Sequence, residues 1–467
     1  MVAARRTPAV VIAAPSSGSG KTTVTTGLIG ALVAAGHRVA PFKVGPDYID
    51  PGYHGLAAGR VGRNLDPNLV GAQRVAPLFA AGSAGADIAV VEGVMGLFDG
   101  RITGDDADML GAGSTAHVAT LLGAPVILVV DAAGHSQSLA AVLHGFLSYD
   151  SRVRIAGVIV NRVGSQRHEQ VLRQACARVG VPVLGALGRD EAMAVPSRHL
   201  GLIPAAERSA AAVTAVGAIV DRVAAAVDLA AVVALARSAC GPAVAPWSPG
   251  DEVGDVATAD RPVVAIARGA AFTFGYAEHA ELLTAAGADV VGFDPLCERL
   301  PEATAGVVIG GGFPEEHADE LSANHLLRDD LRAHVARGGP VHAECAGLLY
   351  LAAALDGRPM VGVLEGTGSF GPRLTLGYRD AVAVSDSVLH RAGDRVTGHE
   401  FHRSTVELVG ATPAWAWRDG AGTTRADGAV HRGVHASYLH VHPAGTPESV
   451  ARFVVAADRH TRAEGDR

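Results

Sequence analysis

Residues 15–23 read Pro-Ser-Ser-Gly-Ser-Gly-Lys-Thr-Thr and follow directly on the apolar run Ala9–Ala14. The phosphate-loop pattern G-x-x-x-x-G-K-[ST] wants a glycine where Pro15 stands, but its core, Ser17-Gly18-Ser19-Gly20-Lys21-Thr22-Thr23, is intact. Glycines there let backbone N–H groups converge on phosphate oxygens, and the helix N-terminus beyond adds a partial positive charge. Lys21 is placed to neutralise the β- and γ-phosphates of ATP, and the Thr22 hydroxyl to ligate Mg²⁺. Lys43-Val44-Gly45-Pro46-Asp47-Tyr48-Ile49-Asp50-Pro51 supplies two carboxylates three residues apart in a Gly-Pro turn. Asp47 and Asp50 can hold Mg²⁺, orient an acceptor, or both. Val90-Val91-Glu92 puts a carboxylate at the end of an apolar strand, the position that reaches the nucleotide's metal directly or through water. The first-half metal set is therefore Thr22, Asp47 and Glu92. Asn161 closes another apolar run; its amide can read an adenine edge or simply shape a turn.

A different chemistry is written into the second half. His342-Ala343-Glu344-Cys345-Ala346-Gly347 precedes an apolar helical stretch, which sets Cys345 on a strand-to-helix turn. An exposed thiol at a helix N-terminus is expected to have a lowered pKa and to act as a nucleophile. Ile309-Gly310-Gly311-Gly312-Phe313-Pro314-Glu315 ends another strand, and the N–H groups of Gly311, Gly312 and Phe313 are candidates for an oxyanion hole. Ser437-Tyr438-Leu439-His440-Val441-His442 brings histidines able to take the thiol proton.

Short β-branched runs position these groups. Strands are expected at 8–14, 38–44, 87–92, 125–131 and 155–160, separated by helices such as 21–35 and 166–179. The alternation restarts with strands at 263–268, 288–293, 305–309 and 340–344 and a helix near 276–287. The fold class is thus α/β: two domains, each a mostly parallel sheet flanked by helices. The first (1–240) carries the phosphate loop, the second (263–456) the thiol. The Pro/Gly/acid-rich stretch 241–262 reads as a linker and 457–467 as a polar, fraying tail.

The 467 residues suit two cores, and the net charge of −8 with pI near 6.2 offers no basic field for nucleic acid or an acidic membrane. No uninterrupted apolar run of spanning length appears, and the opening residues make a poor signal peptide. Four scattered cysteines without a C-x-x-C pair argue against zinc ribbons and disulfides and for a reduced, cytoplasmic enzyme.

Taken together, SSGSGKTT, KVGPDYIDPGYH, GRNLDP, VEGVMGLFDG, PSRHLGLIP, GGGFPE, AECAGLLYL, GHEFHRS and ASYLHVH occur in an order that resembles the cobyrinic or hydrogenobyrinic acid a,c-diamide synthase family over nearly the whole chain. The resemblance implies a dethiobiotin-synthetase-like, P-loop NTPase-like ATP domain fused to a class I glutamine amidotransferase-like domain. It implies ATP and L-glutamine as co-substrates with Mg²⁺, and a corrin-ring polycarboxylic acid amidated on its a and c acetates. It admits a homodimer. It maps the nucleophile to Cys345, the paired histidine to His440, the acceptor motif to Asp47, Tyr48 and Asp50, and the metal acid to Glu92. Class I domains carry a Glu two residues after that histidine; here the position is His442, which reduces the triad to a dyad and leaves the group that orients His440 open. Two other readings compete: a cobyric acid synthase, which amidates other side chains of the ring, and a partition-type ATPase switch with an inert amidotransferase-like module. The GC-biased composition inclines the substrate toward the metal-free ring.

Overall fold

The computed structural model describes residues 6–102, 110–189, 197–198, 201–202 and 210–465. Two compact units divide between Trp247 and Ser248, inside the stretch expected to link them. That stretch is ordered in part: Trp247 is buried and donates its backbone N–H to Pro77 O (2.9 Å), and Pro249–Val253 is a short helix capped by Ser248.

In the first unit the strands are β1 (Ala9–Ala13), β2 (Val39–Val44), β3 (Arg63–Leu65), β4 (Ile88–Glu92), β5 (Val126–Asp131), β6 (Ile155–Val163) and β7 (Val183–Gly188). They form one parallel sheet in the order β3-β2-β4-β1-β5-β6-β7. The strands are nearly continuous apolar runs because helices cover both faces; β1, β2 and β4 are buried at every position. Chain order reverses around β1, so the crevice at its carboxyl end is where an open sheet takes a ligand, and the phosphate loop starts there. Helix Lys21–Ala34 follows, its residues Val24, Leu28, Ile29 and Leu32 packed into the core with Ile219 and Val223. A small antiparallel pair, β8 (Ser197–Arg198) and β9 (Gly201–Leu202), also belongs to this unit; the rest of the PSRHLGLIP motif lies outside the described residues.

The second unit holds two sheets. β10 (Val263–Ala267), β11 (Asp289–Phe293), β12 (Thr304–Ile309) and β13 (Val341–Glu344) are parallel, and with β20 (Ala429–His431) and β21 (Val434–Ser437) they make the order β11-β10-β12-β13-β21-β20. The other sheet was not expected from the sequence. It comprises β14 (Ala352–Leu355), β15 (Arg358–Pro359), β16 (Leu364–Ala383), β17 (Arg395–Leu408), β18 (Trp415–Arg418) and β19 (Thr424–Asp427), and is dominated by the long antiparallel β16–β17 pairing. The final helix runs Pro447–Gly465, with Phe453, Val454 and Ala457 buried, so the tail expected to fray after Ala456 is a continuation of that helix. Among the described residues no helix is long and apolar enough to cross a membrane.

Candidate functional site

In the first unit Gly20 adopts φ 90°, a left-handed conformation that favours glycine, and a Cβ there would lie 2.3 Å from Asn161 Nδ2. Asn161 donates that amide to Ser19 O (3.0 Å) and accepts the Arg162 N–H on Oδ1 (2.9 Å). Both ends of the amide are thus engaged by the protein, and Asn161, expected either to read an adenine edge or to shape a turn, braces the phosphate loop. Ser19 Oγ donates to Ser16 O, closing the turn. Lys21 is buried and donates Nζ to Met95 O at 2.5 Å; Met95, in VEGVMGLFDG, sits at φ 45°. Burial beside Lys43 lowers the Lys21 pKa.

The Thr22 hydroxyl lies 2.8 Å from Glu92 Oε1 and 3.2 Å from Asp50 Oδ2. Of the two acids in the turn, it is therefore Asp50 that shares the threonine with Glu92. Asp47 has a different place: its Oδ1 accepts the N–H groups of Ile49 and Asp50 (2.8 and 3.0 Å) at the start of helix Asp50–Ala58. Asn64 of GRNLDP pins the same turn by donating to Gly45 O and Asp47 O. Tyr48 lies between the two acids, half-buried.

Sequence reading passed over the cation that organises this cluster. Lys43 is buried, and its Nζ donates to Asp50 Oδ2 (2.6 Å), Glu92 Oε1 (2.9 Å) and Gly93 O (3.3 Å), with Asp47 Oδ2 at 3.8 Å. Burial alone would lower its pKa, but Asp50, Glu92 and Asp47 outweigh that and hold it strongly raised. Glu92, fully buried, is nevertheless held well below the usual carboxylate range by Lys43 and His54, whose Nε2 is 2.5 Å from Glu92 Oε2. Burial and the neighbouring Asp47 push Asp50 up. His54 Nδ1 lies 3.0 Å from Thr26 Oγ1, so helices Lys21–Ala34 and Asp50–Ala58 are tied through one imidazole. The sequence holds only a partial signal: Lys43 stands next to last in the otherwise apolar strand β2, and His54 falls one helical turn after Asp50. Among the described residues no three His, Cys, Asp or Glu side chains form a ready-made metal cage. The hard-oxygen set of Thr22, Asp50 and Glu92 nonetheless suits Mg²⁺ chemically.

The second unit brings three distant motifs together. Cys345 sits between β13 and helix Ala346–Leu351 at φ 50°, ψ −100°, a strained turn that a non-glycine residue rarely adopts. Its N–H donates to Ser437 O (2.7 Å), and β13 pairs in parallel with β21, so the cysteine is locked to the strand that leads into His440. Gly347 N–H donates to Gly310 O (3.1 Å), tying the glycine loop to the same turn. A Cβ on Gly311 would lie 2.6 Å from His440 Cε1, so the loop packs against the histidine ring. Phe313 N–H donates to Ala271 O (3.2 Å); of the three expected oxyanion donors, this one is already engaged by the protein. His399 of GHEFHRS exchanges two backbone hydrogen bonds with His440 (2.9 Å each), and His402 stacks on Tyr438 at 3.8 Å.

Two expectations about the thiol are corrected. Cys345 is buried, at 4% relative exposure. Its pKa is raised rather than lowered, first by burial and then by the Glu315, Glu344 and Asp427 carboxylates, which outweigh the Ala346 N–H. A resting thiol of this kind needs a base. His442, at the position of the usual triad acid, packs at a tilt against the Tyr276 ring (centroids 4.0 Å apart) and accepts the Ala444 N–H on Nδ1. The carboxylate that reaches His440 comes from elsewhere: Glu344 Oε2 is 3.3 Å from His440 Nδ1.

Comparison with known proteins agrees with this division. Residues 10–203 match the CobQ/CobB/MinD/ParA nucleotide binding domain, and residues 263–447 the CobB/CobQ-like glutamine amidotransferase domain. The chain is 62% identical over 458 residues to a protein of Mycobacterium tuberculosis (strain ATCC 25618 / H37Rv) named hydrogenobyrinate a,c-diamide synthase, covering 98% of this chain and 99% of that one. It is 56% identical to a protein of the same name from Streptomyces coelicolor, covering 96% and 97%. Identity is 45% to the cobyrinate a,c-diamide synthase of Gloeobacter violaceus, covering 96% of each. This chain belongs to the cobyrinate and hydrogenobyrinate a,c-diamide synthase family.

Proposed function

We propose that this chain uses ATP and glutamine to amidate the a and c acetate carboxylates of hydrogenobyrinic acid. The observation that carries the glutaminase half is the convergence of Cys345, His440 and the Gly310–Gly311 loop on one strained turn. His440 removes the Cys345 proton as sulfur attacks the glutamine side-chain carbonyl carbon. The C–S bond forms, the C–N bond breaks, and the proton leaves with ammonia. Water then releases glutamate from the thioester.

In the first unit a ring carboxylate attacks the γ-phosphorus of ATP, giving an acyl phosphate and ADP. Ammonia displaces phosphate from that carbon and gives up a proton. Lys21 and the phosphate-loop N–H groups bind the phosphates, and Asp47, Tyr48 and Asp50 flank the acceptor. Thr22, Asp50 and Glu92 are the residues that would hold Mg²⁺, which when bound neutralises charge on the phosphate oxygens. The names of the relatives at 62% and 56% identity support the metal-free ring.

The test is incubation with ATP, glutamine and either hydrogenobyrinic or cobyrinic acid, read by product mass. The expected product carries two new amides and forms faster on the metal-free ring. Preference for the cobalt ring would overturn the substrate assignment. Amidation only of a preformed a,c-diamide would favour a cobyric acid synthase. ATP hydrolysis without glutaminase activity would favour the ATPase-switch reading.

A further inference from the structure

With His442 turned to other partners, the dyad of Cys345 and His440 lacks the acid that other class I domains place two residues downstream. We propose that the strand preceding the nucleophile supplies it, through a positioning pair, Glu344 and His342, that holds the His440 ring for proton transfer. The inference rests on Cys345 and His440 being the glutaminase pair.

The geometry is a chain of three side chains, His342 and Glu344 on β13 and His440 three residues beyond the end of the adjacent strand β21. Glu344 divides its carboxylate: Oε2 faces His440 Nδ1 at 3.3 Å, while Oε1 faces His342 Nε2 at 3.2 Å and accepts the Val441 N–H at 3.3 Å. Val441 is the residue after His440, so one carboxylate fixes both the ring and the backbone that carries it. Alternation along β13 explains the arrangement. His342 and Glu344 are two apart and share a face, opposite register partners His435 and Ser437 on β21. A carboxylate that accepts a hydrogen bond from Nδ1–H leaves Nε2 as the nitrogen that takes a proton, the tautomer a thiol base requires.

Glu344 is largely withdrawn from water, yet it is held well below the usual carboxylate range; burial opposes this and His342 and His440 overcome it. A charged acid in that position stabilises the imidazolium that His440 becomes when it accepts the Cys345 proton. His342 is a second donor, which keeps the carboxylate from rotating away. Behind the pair, His342 and Glu344 border a small cavity of about 20 Å³ together with His279, His390 and His435. Burial and the proximity of His342 lower the pKa of all three of these imidazoles, to about 3 for His279 and about 4 for His390, so they bring no competing positive charge at neutral pH.

The experiment compares Glu344→Gln, His342→Leu, His342→Gln and Cys345→Ser for glutaminase kcat and KM, with ammonia-driven diamide synthesis as the measure of intact folding. Glu344→Gln keeps the shape and removes the charge; its kcat is expected to fall roughly 100-fold with glutamine KM little changed. His342→Leu is expected to lose roughly tenfold in kcat, and His342→Gln, which retains an N–H toward Oε1, to recover most of it. Glutaminase in Glu344→Gln within about threefold of wild type, while Cys345→Ser is inactive, would overturn the inference and spare the nucleophile assignment. Equal activity of His342→Leu and His342→Gln would remove His342 from the pair. Glutaminase persisting in Cys345→Ser would instead overturn the reading beneath it.

Discussion

Lys43 is the residue on which the phosphoryl half of the molecule turns, because one buried ammonium compensates two buried carboxylates. Removing one partner from such a cluster costs about 3–5 kcal/mol, since the charges left behind have no solvent to turn to. Lys43→Met is therefore expected to lower the unfolding midpoint and to abolish amidation with either nitrogen source while leaving glutaminase in place. Retained ammonia-driven synthesis would show that Lys43 only fills space. Glu92→Gln is a milder lesion at the same point. It keeps the volume beside Thr22 and His54 but removes a charge from a hard-oxygen set. A Mg²⁺ titration should show a higher metal requirement for ATP use and an unchanged glutaminase rate; an unaltered requirement would return Glu92 to a structural role. These roles differ in how legible they were. Glu92 announces itself as a carboxylate ending an apolar strand. Lys43, in the neighbouring strand, does not, because Glu92 is 49 residues away and meets it only when β2 and β4 pair, while Asp50, 7 residues on, reaches it only through the turn that opens helix Asp50–Ala58. Glu344 was hidden for the opposite reason: it stands beside Cys345, whereas the usual acid follows the histidine.

At the scale of elements, the glycine loop after β12 tests whether strand packing sets the chemistry. Gly311→Ala puts a methyl group 2.6 Å from His440 Cε1, closer than carbon atoms approach. The ring must move, and glutaminase is expected to fall at least about tenfold while ammonia-driven synthesis persists. Unchanged glutaminase would mean that His440 has room to relax and that the loop does not set its position. The parallel strands were readable as short runs bounded by turns, most plainly where they are buried at every position, as in Ala9–Ala13 and Ile88–Glu92; these two and Val341–Glu344 fall within one or two residues of the expected limits. The antiparallel sheet was not. β16 spans 20 residues, Leu364–Ala383, with few fully buried positions and a register shift between Phe370 and Thr375, so neither alternation nor an apolar run marks it. The polarity of the residues beyond Ala456 reads as fraying, but the last helix continues through them. Its exposed face is polar, while Phe453, Val454 and Ala457 dock on the second unit and carry the helix to Gly465.

At the scale of the whole molecule, the two units should respond differently to pH and to loss of one active group. In the second unit the half-buried His279 and the buried His390 and His399 have folded pKa values of about 3, 4 and 3, in each case lowered chiefly by withdrawal from water. Unfolded, each would take a proton near the ordinary value of about 6.5. Their stabilisation is therefore complete above that pH and is lost as pH falls toward 3–4, at about 1.4 kcal/mol per histidine for each pH unit. Asp427 acts with the opposite sign. Burial beside Glu400 pushes it up to about 7, so its contribution is full below the ordinary carboxylate pKa and is lost as pH rises through 7. Three histidines outweigh one acid below pH 6, and the unfolding midpoint should drop between pH 6.5 and 5, less steeply in His390→Asn. A flat midpoint would contradict the buried-imidazole account. The central claim is that nitrogen release at Cys345 and carboxylate activation around Lys21, Lys43 and Glu92 are separate chemistries. Cys345→Ser tests it most directly, assayed for diamide formation by mass with glutamine and, at mildly alkaline pH, with ammonium. The serine hydroxyl is far harder to deprotonate than a thiol, so glutamine-driven synthesis should vanish. Ammonia-driven synthesis should persist near the wild-type rate. Glutamine use by the folded mutant, or loss of both activities, would contradict the claim.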